Sequence, residues 1–457
     1  MTLSQALAEF AVRLRFEDIP PEVIANAKLR LLDTVGACLA SVGMQYADVA
    51  AQVVNEQGAS AESTLIGTPQ RASPGWAAFY NGALAHGNDY DDTHSASLMH
   101  ASAVVIPAVL AMGERSHASG ADTLAAAMSA YETALRIGIA ASGAFHARGF
   151  HTTSVCGVFA AAIAAAKLLR LDPGQTAHAI GIAGSQASGT LEVLTDGAWT
   201  KRMHPGWAAH GGIIAAQLAA RGFTGAGAIL EGKQGLFRTY AGMSAPDAAT
   251  LTAGLGRIWE VVNIDVKPYP CGHISHPYMD CARELRSQHK LTPSDIASIE
   301  LRVHPGMMPI VCEPLANKIR PATAYAACFS LPFAVAVVLA RGHAGIDDFS
   351  EESIKDPQVL ELAARMRYVV DDTLPFPKAF PGWVKIRLRD GRELERRMDF
   401  SRGSRKHPMS AAELEEKFSA NAARCLPAKG VRAIWDAGMR LEQLGDIGQF
   451  TRLLVTQ

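Results

Sequence analysis

Through the first half of the chain, apolar residues return every three to four positions, the spacing that puts them on one face of a helix. Residues 22–40, 76–86, 103–112, 122–140 and 155–169 are runs of good helix formers, and the spacing predicts a helix over each. The stretch 155–169 is apolar or Ala on every side, so its helix is expected to be enclosed by protein all round. Turn signals at Asp172-Pro173-Gly174 and at Gly222 and Gly225 separate such segments. Residues from about 5 to 245 therefore read as one densely packed helical unit.

Beyond Trp259 the pattern changes. Residues 297–303 and 383–388 alternate apolar and polar side chains, as half-buried strands do. Helical spacing over 278–288, 325–340 and 357–366 lies among them, which predicts an α+β unit over about 265–395. Helix returns at Ser410, an N-cap with Glu413 three residues on completing a capping box.

Composition narrows the function classes. Of 457 residues, 49% are hydrophobic and 19% charged, with 43 Lys+Arg against 44 Asp+Glu and a net charge of -1. That excludes a disordered chain, and it leaves no basic excess for nucleic acid. The seven cysteines (38, 156, 271, 281, 312, 328 and 425) form no CxxC, so neither a disulfide framework nor a zinc site is expected. No apolar run reaches the ~18–20 residues of a membrane span, and no targeting segment is read at the N-terminus; a cytoplasmic protein is expected. The Walker, dinucleotide, HExxH and GxSxG motifs are missing from the sequence.

Polar residues instead gather at four breaks in the apolar pattern. The first is Gly87-Asn88-Asp89-Tyr90-Asp91-Asp92-Thr93-His94, followed by His100-Ala101-Ser102. Three carboxylates within four positions need donors or a cation nearby. Either Asp89 orients an acid or base such as His100, or the cluster binds magnesium, or it is a solvated loop with capping residues. The second is Gly149-Phe150-His151-Thr152-Thr153-Ser154, where Thr153 or Ser154 is expected to cap a helix whose N-terminus favours an anion. The third, Trp199-Thr200-Lys201-Arg202-Met203-His204-Pro205-Gly206-Trp207 with His210, offers cations suited to carboxylates or a lysine base; a surface basic pair is the plainer reading. The fourth, Lys267 to Pro277, brings His273 and His276 to the boundary of the two units, with Cys271 a less favoured thiol nucleophile. Histidines, lysines and carboxylates without a cofactor motif suit proton transfer beside a carboxylate-bearing carbon.

These segments, with Glu231-Gly232-Lys233-Gln234-Gly235-Leu236-Phe237, Phe329-Ser330-Leu331-Pro332-Phe333 and His407-Pro408-Met409-Ser410, resemble the MmgE/PrpD family over nearly the whole chain. That family includes 2-methylcitrate dehydratase, cis-aconitate decarboxylase and iminodisuccinate epimerase. The resemblance implies a mainly α fold: a large all-helical domain formed by both chain ends, 1–265 and 396–457, plus a smaller α+β lid domain, 266–395. It places active-site residues on Asp89, Thr93, His100, His151, Lys201 and His276, with Arg202, Ser154, His273 and Lys267 binding substrate. It further implies a homodimer working without metal or organic cofactor on a small di- or tricarboxylate. The chain departs from the family's dehydratases and decarboxylases at Ala101, where they commonly have Pro, and at His94, where Trp is frequent. The leading expectation is a lyase that eliminates water in the manner of 2-methylcitrate dehydratase. Epimerisation or decarboxylation at the same site, and carboxylate binding without catalysis, are the alternatives.

Overall fold

The computed structural model describes residues 1–58, 60–376 and 379–456. It is mostly helical, with one small sheet and one short ribbon. The principal helices are α1 (Pro21–Ala40), α2 (Pro74–His86), α3 (Ser102–Arg115), α4 (Gly120–Ala141), α5 (Thr152–Leu168), α6 (Thr200–Ala219), α7 (His276–His289), α8 (Leu331–Arg341) and α9 (Ala411–Ala422). Among the described residues no helix is long and apolar enough to cross a membrane.

Buried apolar side chains fall into two clusters. One runs from Leu7 to Val266 and resumes from Leu414 to Leu454. The other is confined to residues between Tyr269 and Met398. In the first cluster α5 is the centre. Sixteen of its residues are buried and it carries almost no polar face, as its apolar sequence predicts. Small residues let neighbouring helices close on it. A Cβ added at Gly212 of α6 would lie 2.4 Å from the Val158 carbonyl oxygen of α5, and one at Gly206 would lie 2.0 Å from the Phe79 oxygen of α2. Gly157 of α5 likewise faces Val104 of α3, where an added Cβ would meet a methyl at 2.8 Å. Helix α6 is thus wedged between α2 and α5 almost backbone to backbone. Helix α9, from the far end of the chain, packs on α1, where Phe418 covers Gly36. Its start is the expected capping box of Ser410 and Glu413.

The second cluster surrounds the sheet. A ribbon of β1 (Ser63–Thr64) and β2 (Arg71–Ala72) lies outside it. The main sheet comprises β3 (Ile296–Val303), β4 (Met366–Val370), β5 (Gly382–Leu388) and β6 (Glu393–Met398), in the order β4-β3-β5-β6. β3 runs parallel to β4 and antiparallel to β5, and β5 is antiparallel to β6. β3 and β5 match the predicted alternation. The helix expected over 325–340 is two pieces: one ends at Ala327, and Ser330 caps the next by accepting from the Phe333 N–H. The helix expected over 357–366 stops at Ala364, and Met366 already opens β4.

The close seating of α6 has a measurable consequence. Gly212→Ala forces a methyl into the α5 backbone and is expected to lower unfolding stability by about 1–3 kcal/mol. Gly445→Ala, where nothing lies within 4 Å of an added Cβ, should shift it by less than about 0.5 kcal/mol. Equal denaturation midpoints for the two variants would refute this packing argument.

Candidate active site

α2 ends in His86, and the chain turns at Gly87, where an added Cβ would lie 1.9 Å from the Tyr46 hydroxyl. The next residues enter the protein rather than solvent. Asp89, Asp91, Asp92 and Thr93 are all buried, so the reading of a solvated loop is set aside. Asp89 takes a left-handed backbone, φ 49°, which Asp tolerates better than most side chains.

The three carboxylates diverge, each to its own donors. Asp89 receives Lys201 Nζ at 2.6 Å on one oxygen and Lys267 Nζ at 2.9 Å on the other. Lys267 also donates to the Asp89 carbonyl at 2.8 Å. Asp91 lies 2.7 Å from His86 Nδ1. Asp92 accepts from the Ser102 hydroxyl and from its N–H at 3.2 Å, and Ser102 in turn meets Tyr131. The expectation that Asp89 orients His100 is therefore corrected. Asp89 belongs to the two lysines, and the carboxylate beside the histidines is Asp91, 3.8 Å from His100 Nδ1.

Lys201 and His204 project inward from the first turns of α6, with Met203 and Trp207 on its outer face. The stretch read as a break in the sequence is helical despite Pro205, which merely leaves the Lys201 carbonyl without its usual N–H partner. Besides Asp89, Lys201 donates to His86 Nε2 at 2.9 Å. An ammonium only donates, so Nε2 must accept, and the His86 hydrogen sits on Nδ1, facing Asp91. The same logic fixes His100. Its Nδ1 is 2.8 Å from the Asp92 carbonyl, which only accepts, so Nδ1 carries the hydrogen and Nε2 keeps a free lone pair. Thr93 Oγ1 is 3.3 Å from the same Nδ1.

His151 is itself the N-cap of α5 and makes no side-chain cap. Thr153 accepts from the His100 N–H at 3.0 Å instead of capping, and Ser154 is buried against Gly189. The expected capping by Thr153 or Ser154 is thus not observed. His151 Nδ1 lies 3.1 Å from His204 Nδ1, and its Nε2 has no partner. The rings of His86, His100 and His151 stand 4.7–5.9 Å apart between centroids. Three groups predicted from distant segments, Lys201, His100 and His151, thus meet in one place.

Electrostatics sets the protonation states. Burial alone would raise Asp89, but the Lys201 and Lys267 ammoniums outweigh it and hold the carboxyl well below its usual range. Burial likewise works against Lys267, yet Asp89 and Asp91 keep its ammonium above the ordinary value. Burial, then Lys201, pushes His86 and His151 well down. His100 is pushed down by burial and by Lys267, and His204 falls to about 4 from burial and Lys201. Burial lifts Asp92 to about 7. The cluster is therefore one of neutral imidazoles beside two ammonium groups that share a single carboxylate.

The remaining expected residues lie around this centre. Arg202 is stacked between Tyr46 and Tyr325, with its guanidinium 4.3 and 4.1 Å from their ring centroids, an aromatic clamp the sequence reading did not foresee. The Phe329 ring lies 5.5 Å from Lys201 Nζ. His276, first residue of α7, donates from Nε2 to the Cys271 carbonyl at 3.1 Å and leaves Nδ1 unpartnered. His273 is 3.0 Å from Ser401 Oγ. Cys271 is fully buried, and burial holds its thiol well above the usual value, which removes the thiolate reading.

Two residues escaped the sequence reading. His86 joins Lys201 to Asp91; its only signal was a histidine ending an apolar helix just before the Asp cluster. Lys417 of α9 supports the loop from behind, donating to the Tyr90 carbonyl at 3.0 Å and lying 2.7 Å from Asp33. As for metals, donor atoms of His86, His100 and His151, or of His86, Asp89 and Asp91, come within 4.8 Å of one another. His86 Nε2 and Asp89 are already engaged by the Lys201 ammonium, which a cation would have to displace. The expected magnesium alternative also loses Asp92, which turns away to Ser102.

The profile of the MmgE/PrpD N-terminal domain matches residues 5–249, and that of the MmgE/PrpD C-terminal domain matches residues 269–443. The chain is similar to cis-aconitate decarboxylase of Homo sapiens, 30% identical over 99% of this chain and 94% of that protein. It is similar also to a cis-aconitate decarboxylase-like protein of Aspergillus oryzae, 27% identical over 98% and 96% of the two chains. Cis-aconitate decarboxylase of Aspergillus terreus is 26% identical over 99% and 96%. These matches, end to end along a chain that gathers such a cluster, show that it belongs to the MmgE/PrpD family and is a lyase of that family.

Proposed function

We propose that this lyase acts on a small tricarboxylate, without metal or organic cofactor, by moving a proton at a carbon beside a carboxylate. The observation that carries the reading is the pair of buried ammonium groups, Lys201 and Lys267, sharing one carboxylate next to the imidazoles of His86, His100 and His151. The two ammonium groups have a natural counterpart in a substrate carboxylate. His100 Nε2 and His151 Nε2 are the groups free to exchange a proton with carbon, and His86 links Lys201 to Asp91. Thr93 holds the His100 ring, and His276 closes the pocket from the second cluster. Arg202 and Ser154 shape the wall behind Lys201 and His151.

Within this reading we favour decarboxylation of an acid like cis-aconitate, since relatives similar along nearly their whole length are named cis-aconitate decarboxylase in Homo sapiens and Aspergillus terreus. The carbon–carboxylate bond breaks, carbon dioxide leaves, and its electron pair stays on carbon as a carbanion conjugated to the remaining carboxylates. An imidazolium then delivers a proton to that carbon. Elimination of water in the manner of 2-methylcitrate dehydratase would use the same groups. The units 1–265 with 396–457 and 266–395 serve, in this proposal, as body and lid. We also propose a homodimer, formed through the exposed apolar patch of Leu194, Trp199, Met203 and Trp207, on and just before α6.

Three kinds of measurement, of turnover, binding and association, test these statements. Cis-aconitate, citrate, 2-methylcitrate and iminodisuccinate, incubated with enzyme in deuterated buffer and followed by NMR, should yield a decarboxylated product carrying one solvent deuteron. Lys201→Ala should lower kcat/KM about 10²–10³-fold while circular dichroism stays native; wild-type kcat in that variant, or no conversion of any acid, would sink the proposal. Second, a bound polyanion raises imidazole pKa values that burial and the lysines depress. Binding should therefore take up protons, and affinity should fall as pH rises through the raised value. Calorimetry with a non-reacting tricarboxylate in two buffers of different ionisation enthalpy checks the sign; proton release would contradict it. Third, the protein should sediment as a dimer and Trp207→Glu as a monomer, whereas a monomeric wild type would remove the proposed interface.

A further inference from the structure

The cluster around Lys201 is shut away from solvent: His86, Lys267 and His276 are 0% exposed and Lys201 is 5% exposed. A polyanion must therefore be led in from outside, and one neighbour of the cluster reaches the surface. His273, whose ring stands 5.2 Å from that of His276, also lines a cavity of about 120 Å³ together with Ser404, Arg405 and Lys406. A wider cavity of about 520 Å³ adjoins it, the two sharing Ser95, Asp265 and Arg405. The smaller lies on the seam between the two apolar clusters, with Phe380 of the second at its edge, and the wider extends from it along the first. The loop after Thr93, which pairs with Asp265, forms one side, and the segment after β6 forms the other.

The seam carries two carboxylates and two cations, differently placed: Asp265 is buried, whereas Arg405 and Lys406 stand at the surface. Its carboxylates are already satisfied. Asp265 accepts from Ser95 Oγ at 2.9 Å and from the Arg405 N–H at 3.1 Å, and Glu260 accepts from Asn263 at 2.7 Å with His94 Nε2 at 3.5 Å. Its cations are not. Arg405 Nη1 donates to the neutral amide oxygen of Asn263 at 2.5 Å, and among the described residues neither Arg405 nor Lys406 is salt-bridged. Both side chains are exposed. Deeper in, two polar atoms that line no hydrogen bond, Ser404 Oγ and His273 Nδ1, are buried without partners, and His273 is only 8% exposed. Going inward, the seam thus offers two free cations, a free hydroxyl, a free imidazole nitrogen, and then His276 with the ammonium pair.

We propose that this seam is an anion vestibule, in which Arg405 and Lys406 capture a small polycarboxylate and Ser404 and His273 receive it on the way to the buried cluster. The assignment rests on the carboxylate reading above. Opposed walls of low dielectric focus the field of such cations and raise the local concentration of anions, an effect that salt weakens. The vestibule therefore governs capture rather than chemistry.

The test is steady-state kinetics of the Arg405→Gln/Lys406→Gln double variant on whichever carboxylate the wild type converts, across ionic strengths. The expected result is a fall of about tenfold in kcat/KM at low salt, larger than any change in kcat and shrinking as salt rises. Lys355→Gln/Lys429→Gln removes the same charge from exposed sites elsewhere and should leave both constants and their salt dependence as in the wild type. If the Arg405/Lys406 variant behaves like that control, the vestibule is overturned while the carboxylate reading stands. A wild type that converts no polycarboxylate overturns both.

Discussion

A single carboxylate, that of Asp89, holds the site together. It lies buried between Lys201, from the helix wedged into the large apolar cluster, and Lys267, from the segment that leads into the second cluster. Removing either cation would leave a buried charge short of a partner, a loss of about 3–5 kcal/mol in comparable settings. The left-handed backbone of Asp89, the turn at Gly87 and the close seating of α6 all serve to deliver those three atoms to one point. Two ammonium groups and the carboxylates of Asp89 and Asp91 thus face one another in a place where water cannot screen them.

Burial also decides which groups carry hydrogen. In water a histidine would be partly charged near neutrality; here desolvation and the adjacent lysines keep His86, His100 and His151 neutral. Backbone and carboxylate acceptors then pin the hydrogen on Nδ1 of His86 and His100, leaving the other nitrogen of His100 bare. The site thus suits both an anion and a proton.

Much of this was legible in the sequence, for physical reasons. The helices of the large cluster announce themselves because each is long and apolar, and α5 could be recognised as enclosed because it has no polar face. β3 and β5 alternate cleanly since each has one buried face. β4 and β6 were not foreseen: β6 is an edge strand of charged residues, Glu393 to Met398, with only one fully buried side chain, and β4 begins one residue after a helix. The helical nature of Lys201 and His204 was hidden by Pro205 and by a run of cations that resembles a surface loop. Residues given by their segment, such as His100, His151 and Lys267, do converge. What spacing could not reveal was pairing: that Asp89 serves the lysines, that Asp91 serves His86, and that Arg202 is spent on two tyrosine rings. Apart from the His86–Asp91 pair, those facts depend on contacts between residues more than a hundred positions apart.

The contact between Lys417 and the Tyr90 carbonyl bears on how the molecule comes into being. Every imidazole and ammonium of the cluster has been synthesised once residue 276 is added, yet Lys417, which braces the Tyr90 carbonyl, follows only 141 residues later. α1 waits just as long for Phe418, the side chain that covers Gly36. During translation the reacting groups therefore exist well before the loop that aligns them is braced, and the nascent chain gains a working arrangement only when α9 docks against α1.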